Sequence, residues 1–158
     1  MPPTDEAVQL TADASVHYLS VHDLVWIHSV LAGEPVPFDY ERLESCMAAQ
    51  YGYGDSTDVE GQSRALLRRC LLARPFERSN RPFAAAAFLA FLAANGRELT
   101  LTDEELVSAI QRLEAGEEVD LPIGPAVRAA GSSIRGIVMQ MCVERKSLLR
   151  GLDEGARR

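Results

Sequence analysis

Several things are missing from this chain of 158 residues, and each absence narrows what it can be. No apolar run reaches membrane-spanning length: Pro82–Ala94 makes roughly 20 Å of helix at 1.5 Å per residue, too short for a bilayer. The polar opening MPPTDEAVQLTADAS is not a secretory signal. Cys46, Cys70 and Cys142 are odd in number and share no metal-type spacing. They read as reduced, mostly buried small residues of a cytoplasmic protein. A Walker P-loop, His-Glu-x-x-His, Cys-x-x-Cys and Gly-x-Ser-x-Gly are all absent. There is no internal repeat, and period-two alternation never persists, so the fold class is all-α. A net charge of −7 opposes wholesale nucleic-acid binding but leaves room for a local basic patch. What remains is a domain-sized chain, 47% hydrophobic and 25% charged, able to bury a core without staples.

The most informative stretch runs from Arg74 to Gly96. Between Pro82 and Ala94 almost every residue is apolar, and Phe83, Phe88, Leu89, Phe91 and Leu92 spread around the whole helical circumference. A helix that is apolar on every side must be buried on every side, so it is the expected centre of a bundle of about six or seven helices. Asn80 is read as its N-cap, Pro82 suits its first turn, and Asn95-Gly96 supplies a left-handed stop. Residues 64–81 hold six arginines against the single Glu77, a local balance of +5, so the rest of the chain sums to −12. Arg74, Arg78, Ser79, Asn80 and Arg81 cluster at the helix start, where free amides and the dipole favour anions. They form the candidate anion site. The plainer alternative is that these arginines pair with the acidic remainder of the chain.

Around this centre the other helices are marked by caps. Residues 1–16 are expected to be a mobile lead-in. Ser20-x-x-Asp23 is a capping box ahead of Leu24, Ile27, His28 and Leu31, with His28 read as a structural histidine and Trp26 off the stripe. Asp39 caps a second helix carrying Leu43, Cys46 and Met47. It is followed by a Gly/Tyr loop in which Tyr51 and Tyr53 either close over the core edge or stack on a base or partner, and a small hairpin near 51–57 is a further option. Asp58 caps a third helix, and Thr102-x-x-Glu105 boxes another that ends at Gly116. Residues 117–150 are expected to be an acidic linker and one long helix from Pro125 that packs back on a helical core spanning 17–116. Gly131 and Gly136 would weaken that helix or permit close packing. Its stripe of Val127, Ala130, Ile134, Ile137, Val138 and Met141 could alternatively serve a homodimer or hold a partner helix. Residues 151–158 are expected to fray.

The segment Arg74-Pro75-Phe76-Glu77-Arg78-Ser79-Asn80-Arg81-Pro82, followed by a buried Ala/Leu/Phe helix, resembles the Fic/Doc family signature His-Pro-Phe-x-Asp/Glu-Gly-Asn-Gly/Lys-Arg. Pro75, Phe76 and Asn80 agree with it. Arg74 stands at the catalytic histidine, Arg78 at the Mg²⁺-binding acid, Ser79 at a glycine, Arg81 at the Gly/Lys position and Pro82 at the phosphate-binding arginine. Ile27-His28 and LTLTDEELVSAI also resemble the Doc (death-on-curing) branch, so the likeness covers about residues 18–115. The resemblance implies a Fic/Doc-like fold, and it makes the Gly/Tyr loop a counterpart of the family's target-aligning flap.

In that family the histidine is a general base and the acid holds Mg²⁺ on nucleotide phosphates. Arginine is charged at any working pH and cannot take a proton. The expectation is therefore a pseudoenzyme related to toxin–antitoxin systems, acting as a binding or regulatory protein through its arginine-rich anion site, with no catalytic residue and no metal. A nucleotide or phosphate, held without Mg²⁺, and an acidic, antitoxin-like protein are the expected ligand and partner. Two alternatives stand beside this. One is a nonstandard transfer of AMP or phosphate using Glu77 or His28 as base, and the other is nucleic-acid binding through the arginine patch.

Overall fold

Helices begin in this protein where a short polar side chain meets the first free amides of an apolar run. The computed structural model describes residues 16–52, 58–126 and 133–156, with side chains through Asp153. Among them are helices α1 (Val21–Ala32), α2 (Tyr40–Ala49), α3 (Val59–Ala73), α4 (Asn80–Ala94), α5 (Asp103–Glu114), α6 (Ile134–Glu144) and α7 (Lys146–Ala156). Ser20 and Thr102 close full capping boxes with Asp23 and Glu105, while Asp39 and Asp58 accept from the amides of Arg42 and Gly61. Each such cap stabilises its helix by about 0.5–2 kcal/mol.

The all-α expectation holds, with seven helices among the described residues. Helix α4 is the centre. Every residue from Pro82 to Leu92 is buried, and Ala84 to Ala87 expose nothing. α3 lies along it, while α1, α6 and α7 pack on its other sides. Four alanines in succession explain how so many neighbours fit: with no side chain beyond Cβ, they let surrounding backbones come close while Phe83, Phe88 and Phe91 fill the gaps. Gly96, at φ +70°, ends the helix as read. No helix among the described residues is long and apolar enough to cross a membrane.

The structure corrects the sequence reading in several places. Pro125 does not start a helix. It lies in β2 (Ile123–Pro125), which pairs antiparallel with β1 (Arg97–Leu99) in the register Arg97 to Pro125 and Leu99 to Ile123. Three-residue strands are too short to show alternation, which is why they were invisible in the sequence. The helix expected from Pro125 begins instead at Ile134, with Ser133 accepting from the Gly136 amide. Gly136 earns its place at that cap, since a Cβ there would meet the Ser133 hydroxyl at 3.2 Å. The helix breaks at Arg145, and residues 146–156, whose latter half was expected to fray, form α7 with Leu148, Leu149 and Leu152 buried. Residues 1–15 of the expected lead-in, Tyr53 and most of the hairpin option, and Val127, Ala130 and Gly131 lie outside the described residues.

Candidate functional site

The arginine-rich loop starts and ends on residues in the left-handed region. Arg74 (φ 47°, ψ 63°) is the C-cap of α3, its amide donating to the Cys70 carbonyl, and Ser79 (φ 61°, ψ 35°) precedes α4. Neither is glycine, so each costs on the order of 1 kcal/mol that the surroundings must offset. They do so from three sides. Phe38 forms an antiparallel bridge with Phe76, flanked by bonds from the Asp39 amide to the Pro75 carbonyl (2.8 Å) and from the Glu77 amide to the Pro37 carbonyl (3.1 Å). Asn80 does not cap α4 as expected. Its buried side chain turns back on the loop, accepting from the Phe76 amide (3.0 Å) and donating to the Phe76 carbonyl (2.7 Å). His28 stacks flat on the Phe76 ring at 3.6 Å, and its Nε2 sits 2.8 Å from the Arg78 carbonyl.

That last contact assigns the histidine. A carbonyl only accepts, so Nε2 carries the proton and Nδ1 is left bare, buried and without a partner. Burial pushes the His28 pKa below 6.5, against the opposing pull of the Arg78 carbonyl bond. His28 is a structural histidine that pins the loop.

The five residues of the candidate anion site do not converge on one point. Arg78 turns to Glu34 at the end of α1. Arg81 and Arg74 both turn to Glu114 on α5, with Arg81 Nε at 2.7 Å and Arg74 at 3.9 Å. The Arg81 Nε and Glu114 Oε1 atoms are both shielded from water and off the ideal hydrogen-bond line, so the contact is an ion pair rather than an aligned bond. The Ser79 hydroxyl donates to the Asp153 carboxylate of α7 at 2.8 Å, and Asn80 is spent on Phe76. The chain thus places its own carboxylates, Glu34, Glu114 and Asp153, around the start of α4. Arg64 further back donates to the Leu121 carbonyl, while Arg68 and Arg69 are exposed.

The acidic partners Glu34, Glu114 and Asp153 were missed in the sequence, where the surplus of acid outside residues 64–81 signals pairing but not which acid pairs. Pro37–Asp39 lies against the loop; of the Gly/Tyr loop only Tyr51 and Gly52 are among the described residues, and the Tyr51 ring meets that of Tyr18 at 4.5 Å, tilted by 43°, with Tyr18 in turn beside Phe91 at the edge of the core. Beyond Ser79 and Pro82 a groove of about 580 Å³ opens between α1, α6 and α7. Among the described residues no three His, Cys, Asp or Glu side chains gather where they could hold a metal ion. Cys46 and Cys70 are buried against one another, and Cys142 is half-buried in the groove wall, where burial pushes its thiol up and keeps it unreactive. In comparisons with known proteins the chain matches no family model, no curated protein and no solved structure.

Proposed function

We propose that the protein is a Fic/Doc-like pseudoenzyme, related to toxin–antitoxin systems, that acts by binding an acidic partner through the outer face of its arginine loop. The observation that supports this best is the state of Arg74 and Arg78. Both side chains are about half exposed, at 54% and 44%, and their intramolecular partners are either distant, as Glu114 is from Arg74, or themselves exposed, as Glu34 is. Exposed ion pairs contribute only about 0–1 kcal/mol, so a partner's carboxylates can replace them at little cost. Phe38, 41% exposed, borders the same loop and adds an aromatic side chain beside the arginines, a composition suited to an interface.

The same residues argue against the family's reaction. At position 74 there is a guanidinium, which cannot act as base. The nearest imidazole, His28, is fully buried and committed to the Arg78 carbonyl.

Two arms of one calorimetric experiment test the reading. An acidic protein recovered from the natural host should bind the purified chain, and the Arg74→Glu/Arg78→Glu variant should weaken it by at least about tenfold, the scale of two lost charge-assisted contacts. Titration with ATP, ADP, AMP, GTP and phosphate, with and without Mg²⁺, runs in parallel on wild type and Arg78→Ala. Nucleotide-dependent labelling of a protein hydroxyl would overturn the proposal, as would partner binding indifferent to both arginines.

A further inference from the structure

The groove beyond Ser79 is distinct from the arginine loop's outer face, since neither Arg74 nor Arg78 lines it. Its size, about 580 Å³, falls within the range of small-molecule sites, roughly 300–1,000 Å³. One wall is the last turn of α1, through Val30 and Leu31, and Pro82 and Leu149 add apolar floor. The facing wall is a ridge on α6 made by Met139 and Val143, one turn apart and left 52% and 78% exposed. Apolar side chains held that far out at the lip of a concave surface leave it short of cover.

The polar groups are gathered on α7. Lys146 and Arg150 stand one turn apart on the face that lines the groove, which brings their side-chain roots within about 5–6 Å. Neither has a carboxylate partner among the described residues, in a chain where acids outnumber Lys and Arg by 23 to 16. Asp153, the acid of the groove, is occupied by the Ser79 hydroxyl. Apolar walls thus end in a pair of cations one turn away from the one acid.

We propose that this groove binds an amphiphilic organic anion, an apolar body seated between Val30, Leu31, Met139 and Val143 and a carboxylate or phosphate head held by Lys146 and Arg150. The occupant is a small molecule rather than a peptide strand, because among the described residues no run of unpaired backbone lines the groove, whose walls are helices. The inference stands independently of the arginine-loop reading.

Isothermal titration with dodecanoate, dodecyl phosphate and dodecanol, each below its micelle concentration, tests it on the full chain. Dodecanoate or dodecyl phosphate should bind, and dodecanol should bind at least about tenfold more weakly, because it lacks the charge for charge-assisted bonds. Binding of one anion and not the other assigns the head group. Lys146→Ala/Arg150→Ala changes two exposed side chains, so it should leave thermal unfolding unmoved while reducing anion affinity by about tenfold or more. Val143→Asp should reduce it too, by charging the apolar wall. The proposal is overturned if neither anion binds, if dodecanol binds equally well, or if the Lys146/Arg150 variant binds like wild type. In each of these cases the partner arm of the arginine-loop experiment is unaffected, so the two failures are distinguishable.

Discussion

His28 carries a bare, buried Nδ1 atom, and protonating it would create a buried N–H with no hydrogen-bond acceptor. Its folded pKa lies below 6.5, so as pH falls below that value the unfolded chain takes up a proton before the folded one does. The stability this group secures is complete above 6.5 and is lost as pH drops toward its folded pKa. In urea unfolding, a His28→Phe variant keeps the ring on Phe76 but loses the bond to Arg78. It should therefore be less stable than wild type at pH 7.5, with the gap narrowing by pH 5. A gap that stayed constant would mean that folding does not lower the His28 pKa. Asn80 offers a sharper test, since both its side-chain bonds hold the buried Phe76 backbone. Asn80→Ala strands a buried donor and acceptor and should cost about 2–4 kcal/mol by urea midpoint, more than the ~1 kcal/mol of a lost helix cap.

At the scale of elements, α7 is the part that most needs a tertiary account. Leu152 is 2% exposed, and Leu152→Ala should cost about 2–4 kcal/mol, whereas in a frayed tail it would cost next to nothing. Glu114 joins α5 to the start of α4 by pairing with Arg81 at 2.7 Å. Glu114→Gln leaves a mostly shielded guanidinium unpaired and should lower stability by about 1–3 kcal/mol, between the values for exposed and fully buried pairs. Legibility divides along the same line. Ser20, Asp39, Asp58 and Thr102 act within three residues of themselves, so their helices could be read directly. α4 was legible because its apolarity is circumferential. Asn80 was misread because it faced a choice between the amides ahead and Phe76 behind, which only the fold decides. Pro125 pairs with Arg97, and Ser79 with Asp153, across separations that no local pattern records. The end of α7 was misread because GLDEGARR is polar in sequence while Leu152 is buried by its neighbours.

Across the whole molecule, one helix is the common wall of nearly every packing layer. α3 comes before it in the chain, while α6 and α7 cover it only from residue 134 onward. Any enlargement inside the alanine run is therefore felt by several neighbours at once: Ala86→Leu should cost at least about 2–3 kcal/mol in thermal unfolding, the upper range for overpacking. The order of covering also has a bearing on biosynthesis. α7 is translated some fifty residues after α4 ends, and until it emerges the most apolar segment of the chain lacks part of its cover. Folding must therefore finish late, after the last helix leaves the ribosome. A nascent chain stalled before Lys146 would present a greasy, uncovered flank of α4, the kind of surface that chaperones bind and that aggregates when they are absent.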